Sequence, residues 1–119
     1  MIRPEIAQQQ YCYLTTTGRH TGNPHTIEIW FGLEGPTLYL MAGNGEKSDW
    51  VRNLRRQPEV QVRLDGVTYS ATARVVTDTA EDAKVRAMLV AKYQPGYNGD
   101  LRNWGQTALP VALDLAIEG

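Results

Sequence analysis

Residues 15–25 read Thr-Thr-Thr-Gly-Arg-His-Thr-Gly-Asn-Pro-His, and their types suit the binding of an anion. Thr15, Thr16 and Thr17 supply hydroxyls. Gly18 and Gly22 let backbone amides turn outward, and Arg19, His20 and His25 add positive or donor groups. A concavity so composed can cradle a phosphate or a carboxylate. A plain polar turn between two strands is the competing reading, and composition weighs the two about equally. The run joins strands instead of opening a helix, so it is neither a Walker loop nor the dinucleotide glycine fingerprint.

A second candidate is Ser48-Asp-Trp-Val-Arg-Asn-Leu-Arg-Arg56, a short basic amphipathic helix with Trp50, Val51 and Leu54 on one side and arginines on the other. Its apolar side would plug the end of a barrel. Its first turn also offers unpaired N–H groups to an anion, with Lys47 just before it. Trp30, Tyr39, Tyr93, Tyr97 and Trp104 are candidate pocket walls, although most aromatic residues are simply core. Tyr97 and Trp104 stand out because their loop is long and polar.

Other chemistries find no support. His20 and His25 lack a third ligand, so no metal site is expected. Cys12 sits in an apolar strand and reads as core. A Ser or Cys nucleophile needs a positioned His and an orienting acid, and neither is evident. Glu28, beside Trp30, is open to three readings (general base, proton relay or surface residue), of which the last is favoured. No catalytic side chain is identified.

The elements that must position these groups follow from hydrophobic periodicity. Alternation at period two marks strands at 11–17, 25–31, 37–42, 60–64, 67–75 and 111–117. Ile27, Ile29 and Phe31 should share one face of the second, with Thr26, Glu28 and Trp30 on the other. Glu34-Gly35-Pro36 and Asp65-Gly66 connect hairpins. Ser48 reads as the cap of the first helix, which Pro58 stops. Thr79 and Asp82 resemble a capping pair opening a helix that runs to about Tyr93, and Pro95 to Asp100 reads as loop. The expected fold class is mainly β (α+β): about six antiparallel strands in a barrel with two to four short helices, forming one domain over residues 1–119. Parallel βα alternation is absent, which argues against a Rossmann domain.

Composition agrees. A formal net charge of -1 excludes a general nucleic-acid binder, while Arg52, Arg55 and Arg56 crowd one segment, as suits a small anionic ligand. One cysteine allows no internal disulfide. Residues 1–10 lack the apolar stretch of a secretory signal, and no run approaches the ~18 apolar residues of a membrane span. A cytoplasmic location is expected.

Taken together, residues 14–25, Ile-Glu-Ile-Trp-Phe (27–31), Ser-Asp-Trp-Val-Arg-Asn-Leu…Pro (48–58) and Val-Gln-Val-Arg (60–63) resemble the deazaflavin (coenzyme F420)-dependent nitroreductase and quinone reductase family. That family belongs to the wider flavin-binding split β-barrels that include pyridoxamine phosphate oxidases. The resemblance covers about residues 11–76, with a weaker match at Leu109-Pro110-Val111. It implies F420 in a groove, its anionic tail against Thr16, Thr17, Gly18, Arg19, His20 and His25, assisted by Lys47. The deazaflavin ring would lie near Met41, Ala42, Gly43 and Trp50, and Trp30, Tyr93 and Tyr97 would face the acceptor. Reduced F420 would deliver a hydride to a small quinone, nitro compound or activated enone, so the cofactor carries the hard chemistry. Family members commonly carry Lys in place of His20 and Arg in place of His25. FMN is therefore kept as the alternative cofactor, and a non-catalytic flavin, F420 or haem binder as the alternative function. Split barrels of this kind often pair, so a homodimer is expected, with no nucleic acid and no membrane among its partners.

Overall fold

The computed structural model describes residues 4–116. Its strands are β1 (Cys12–Thr17), β2 (Pro24–Ile29), β3 (Gly32–Glu34), β4 (Thr37–Ala42), β5 (Glu59–Leu64), β6 (Val67–Val75) and β7 (Leu109–Leu115). They form one antiparallel sheet in the order β2-β1-β5-β6-β7-β4-β3. The α-helices are α1 (Asp49–Arg56), α2 (Thr79–Tyr93) and α3 (Arg102–Thr107).

The order alone requires the sheet to curl. Strands β2 and β3 lie at opposite edges, yet only Trp30 and Phe31 join them. Laid flat, seven strands would put those edges about 29 Å apart at ~4.8 Å per strand. The three Cα–Cα steps from Ile29 to Gly32 reach at most about 11 Å. The two edges must therefore approach each other, and the sheet rolls into a half-barrel.

Strand β1 alternates buried with half-buried residues and β5 alternates exposed with buried ones, as sheets with one solvated face do. Cys12, Leu14, Val62, Leu64, Leu40 and Leu113 fill the inside of the roll, and Val51 and Leu54 of α1 plug it. Strand β4 is buried on both faces. Leu38, Leu40 and Ala42 join that core, while Tyr39 and Met41 pack with Val85 and Leu89 of α2 on the outside. Two core layers thus share one sheet.

The mainly β, split-barrel expectation holds. The strand count is seven instead of six because the 25–31 run divides: β2 pairs with β1, whereas β3 makes the hairpin with β4 across Gly35-Pro36. The physical cause lies at Phe31, whose backbone N–H donates to the Tyr93 hydroxyl (2.8 Å) instead of a neighbouring strand. The Asp65-Gly66 hairpin forms as expected, with φ of 49° and 79° at its two turn residues. The capping pair on α2 is displaced by one residue, since Asp78 is the cap and accepts from the Glu81 amide (2.8 Å). Ser48 caps α1 by position but makes no side-chain cap bond. Helix α3 was unforeseen. Ile117, expected in the last strand, lies outside the described residues. Among those described, no helix is long and apolar enough to cross a membrane.

Candidate active site

The turn after β1 is closed by its own backbone: Gly18 N–H donates to Asn23 O (2.7 Å) and Gly22 N–H to Gly18 O (2.8 Å). Gly22 supplies the positive φ this needs (76°). Gly18 is instead closely covered. A Cβ there would lie 2.6 Å from Nε2 of His25, whose ring folds over the turn.

What fixes the turn in space is Asn53 of α1, which is only 4% exposed. Its Oδ1 accepts from the Arg19 backbone amide (3.2 Å) and from Arg19 Nη1 (2.8 Å). Its Nδ2 donates to Oγ1 of buried Thr16 (3.1 Å). One amide therefore locks strand, turn and helix together. The other end of the Arg19 guanidinium reaches Asp49, with Nη2 at 3.1 Å from Oδ1 and Nη1 at 3.5 Å from the backbone O.

Between the turn, β2 and α1 lies a cleft of about 640 Å³, within the range of small-ligand pockets. Six of the residues singled out from sequence line it: Thr16, Gly18, Arg19, His20, His25 and Trp50. Thr21, Thr26, Ile27, Asn44, Ser48, Asp49 and Asn53 line it too; the sequence assigned none of them to the cofactor individually, although Ser48, Asp49 and Asn53 lie in the helix read as a second candidate anion site. For Asn53 a signal existed, namely a polar residue on the helix side carrying Val51 and Leu54.

The remaining candidates lie elsewhere. Thr17 lines a shallower groove with Thr15, Pro24, Gln61 and Ser70, because adjacent strand residues face opposite ways. Met41 (4% exposed) and Ala42 (2% exposed) are core. Gly43 and Lys47 are exposed and do not line the cleft. Trp30, Tyr93 and Tyr97 do meet, but apart from it. Trp30 stacks on Tyr93 (4.2 Å, 3°) and meets Tyr97 and Trp104 edge-on at 5.8 and 5.6 Å. Tyr93 is 3% exposed, and its hydroxyl donates to Gln10 O (2.8 Å) while accepting from Phe31 N–H, so it is part of the frame.

Side-chain nucleophiles are no better placed. Burial pushes the Cys12 thiol up to about 12, so it is an inert core group. Glu28 is exposed and accepts from the Tyr13 hydroxyl (2.9 Å). No cluster of three or more His, Cys, Asp or Glu suited to a metal ion occurs among the described residues. The cleft can bind and orient a ligand through the side chains that line it.

The curled antiparallel half-barrel is a split-barrel fold, matching that of the solved structures it superposes on. The chain belongs to the F420H(2)-dependent quinone reductase family, whose profile matches residues 4–116. That family is one of oxidoreductases whose cofactor is coenzyme F420. A related protein, the F420H(2)-dependent quinone reductase Rv1261c of Mycobacterium tuberculosis, is 27% identical over 66 residues, 53% of this chain and 44% of that one. The chain thus matches less than half the length of that relative. Among solved structures, the hypothetical protein Rv2991 of M. tuberculosis superposes with a TM-score of 0.75 at 22% identity, covering 98% of this chain and 82% of the other. An F420-H2 dependent reductase (FDR-A) superposes with a TM-score of 0.70 at 18% identity, covering 88% and 94%. At such identities the two structures speak for the fold alone.

Proposed function

We propose that this chain is a single-domain reductase that binds F420 in the cleft between the Gly18–His25 turn and α1, and that it passes a hydride to a small electron-poor acceptor. A quinone is the first choice, and nitro compounds and activated enones share the required chemistry. The observation that carries the reading is the Thr16–Asn53–Arg19 lock, which holds a donor-rich turn over a cleft in a chain of an F420-dependent family.

The residues fit such a group. Arg19, His20, Thr21 and Ser48 offer donors for an anionic tail, and Trp50 and Ile27 give a planar ring an apolar wall. When bound, F420 supplies the two-electron hydride chemistry. The protein's part is to fix the ring and to hold the anionic handle in a pre-set turn, which saves the ordering cost at binding. His20 and His25 stand where the tail is expected. A homodimer that completes the groove, working in the cytoplasm, belongs to the same reading.

The test is a titration of the purified protein with F420 and FMN side by side, followed by addition of a quinone or a nitroaromatic to the complex with reduced F420. Micromolar binding of F420 and its oxidation by the acceptor are expected. Arg19→Ala should weaken binding by about 1–3 kcal/mol through loss of a charge-assisted bond. Binding without turnover would mark a carrier, preference for FMN would move the chain to the flavin enzymes, and binding of neither ends the proposal.

A further inference from the structure

We propose that Asp49 is a built-in competitor for the anionic handle of the cofactor, and so determines which anions the cleft admits. The inference rests on the reading of the cleft as an anion-binding cofactor site.

The argument begins with how Arg19 is held. Asn53 anchors it twice, at the backbone amide and at Nη1, from a buried position. Asp49 is not needed for that anchoring. Its carboxylate takes Nη2, the nitrogen that Asn53 leaves free. The two partners differ sharply in exposure: the Arg19 side chain is 22% exposed and that of Asp49 is 85% exposed. Among the described residues the Asp49 carboxylate has no other hydrogen-bond or ion-pair partner.

An ion pair with one partner so exposed is held weakly, because water and salt screen it. The carboxylate also has the same shape and charge as the groups Arg19 is suited to recognise. It therefore stands in for a ligand oxyanion while the cleft is free of one. A phosphate or carboxylate entering the cleft competes with Asp49 for the Nη2 edge of the guanidinium and shares the site with that carboxylate's charge, which repels it. A neutral ligand meets neither cost. Asp49 thus imposes a penalty that grows with the charge of the incoming group, and it leaves the ring-binding wall of Trp50 and Ile27 untouched.

The test compares the wild type with Asp49→Asn, which keeps the size of the side chain and removes its charge. Three probes separate the possibilities: F420, the neutral deazaflavin core that lacks phosphate and glutamyl tail, and inorganic pyrophosphate. At low ionic strength the variant should bind F420 and pyrophosphate roughly 1.5- to fivefold more tightly, the range expected when a weak exposed pair is removed. The gain should shrink as salt is raised to about 0.5 M, where charges are screened within a few ångströms. Affinity for the neutral core should stay the same, and a matching thermal unfolding curve would verify the fold. Equal or weaker binding of the anionic probes by Asp49→Asn overturns the proposal, since Asp49 would then be holding Arg19 in place. An equal gain for the neutral core overturns it as well. If the wild type binds pyrophosphate but not F420, the cofactor reading fails while pyrophosphate still decides the role of Asp49. If neither form binds any anionic probe, both fall.

Discussion

Asn53 joins three partners through a single side-chain amide, and two of them belong to Arg19, which lies 34 positions earlier in the chain. Asn53→Ala would leave the Arg19 amide and the Thr16 hydroxyl without their partner. Because Asn53 and Thr16 are buried, the unfolding free energy should fall by about 1–3 kcal/mol, as read by urea denaturation. Cofactor affinity should fall with it, since the turn would no longer be fixed against α1. The anion-binding composition of the turn was legible because it is local: glycines, threonines and cations in one short run. The lock was not. A polar residue on an apolar helix face says that a partner exists, but only the fold says which one. The same limit explains Thr17 and Met41. The run of threonines and the end of β4 marked the right neighbourhood, while the pleat sent every second side chain away from the cleft.

At the scale of elements, the aromatic group around Trp30 acts as a clasp on the joint between β2 and β3. Tyr93, near the end of α2, stacks on Trp30 and accepts the Phe31 N–H, and Lys92 beside it donates to Phe31 O (2.8 Å). Tyr93→Phe keeps the stacked ring but leaves a buried amide without its acceptor. Stability should drop by about 1–3 kcal/mol, read as an earlier urea midpoint, while F420 affinity stays close to that of the wild type because the clasp lies apart from the cleft. Elements with a local cause were readable. The Asp65-Gly66 hairpin is one, because two successive positive φ values demand such residues. The break inside 25–31 has a distant cause, a tyrosine 62 residues away, and no local pattern could announce it. Helix α3 is six residues long and carries no side-chain cap, so it gives little signal of its own.

At the scale of the molecule, charge networks set the response to pH. The Arg74 guanidinium, and after it the Tyr39 hydroxyl, hold the Glu81 carboxyl down at about 2 from its usual 4.5. Its contribution is complete above pH 4.5 and is lost as pH falls toward 2. At the alkaline end, burial raises Tyr93 from 10.0 and Cys12 from 9.0, both to about 12. Their contributions are complete below those ordinary values and are lost on the way to pH 12. Lys92 works the other way, since burial lowers it from 10.5 to about 8, so raising pH through that window relieves a penalty. Urea midpoints measured across pH should therefore decline below pH 4.5 and again between about pH 10 and 12, after the relief at Lys92 is nearly spent.

The two-residue span at Trp30-Phe31 makes the curvature of the whole sheet a matter of rope length. A hoop drawn shut by so short a cord cannot slacken without lengthening the cord, so added residues here act on the whole sheet. Extra residues in the exposed Asp65-Gly66 turn would hang outside the hoop. The same number between Ile29 and Gly32 would let the rim spring open, and the wall that carries Thr26 and Ile27 would swing away from α1.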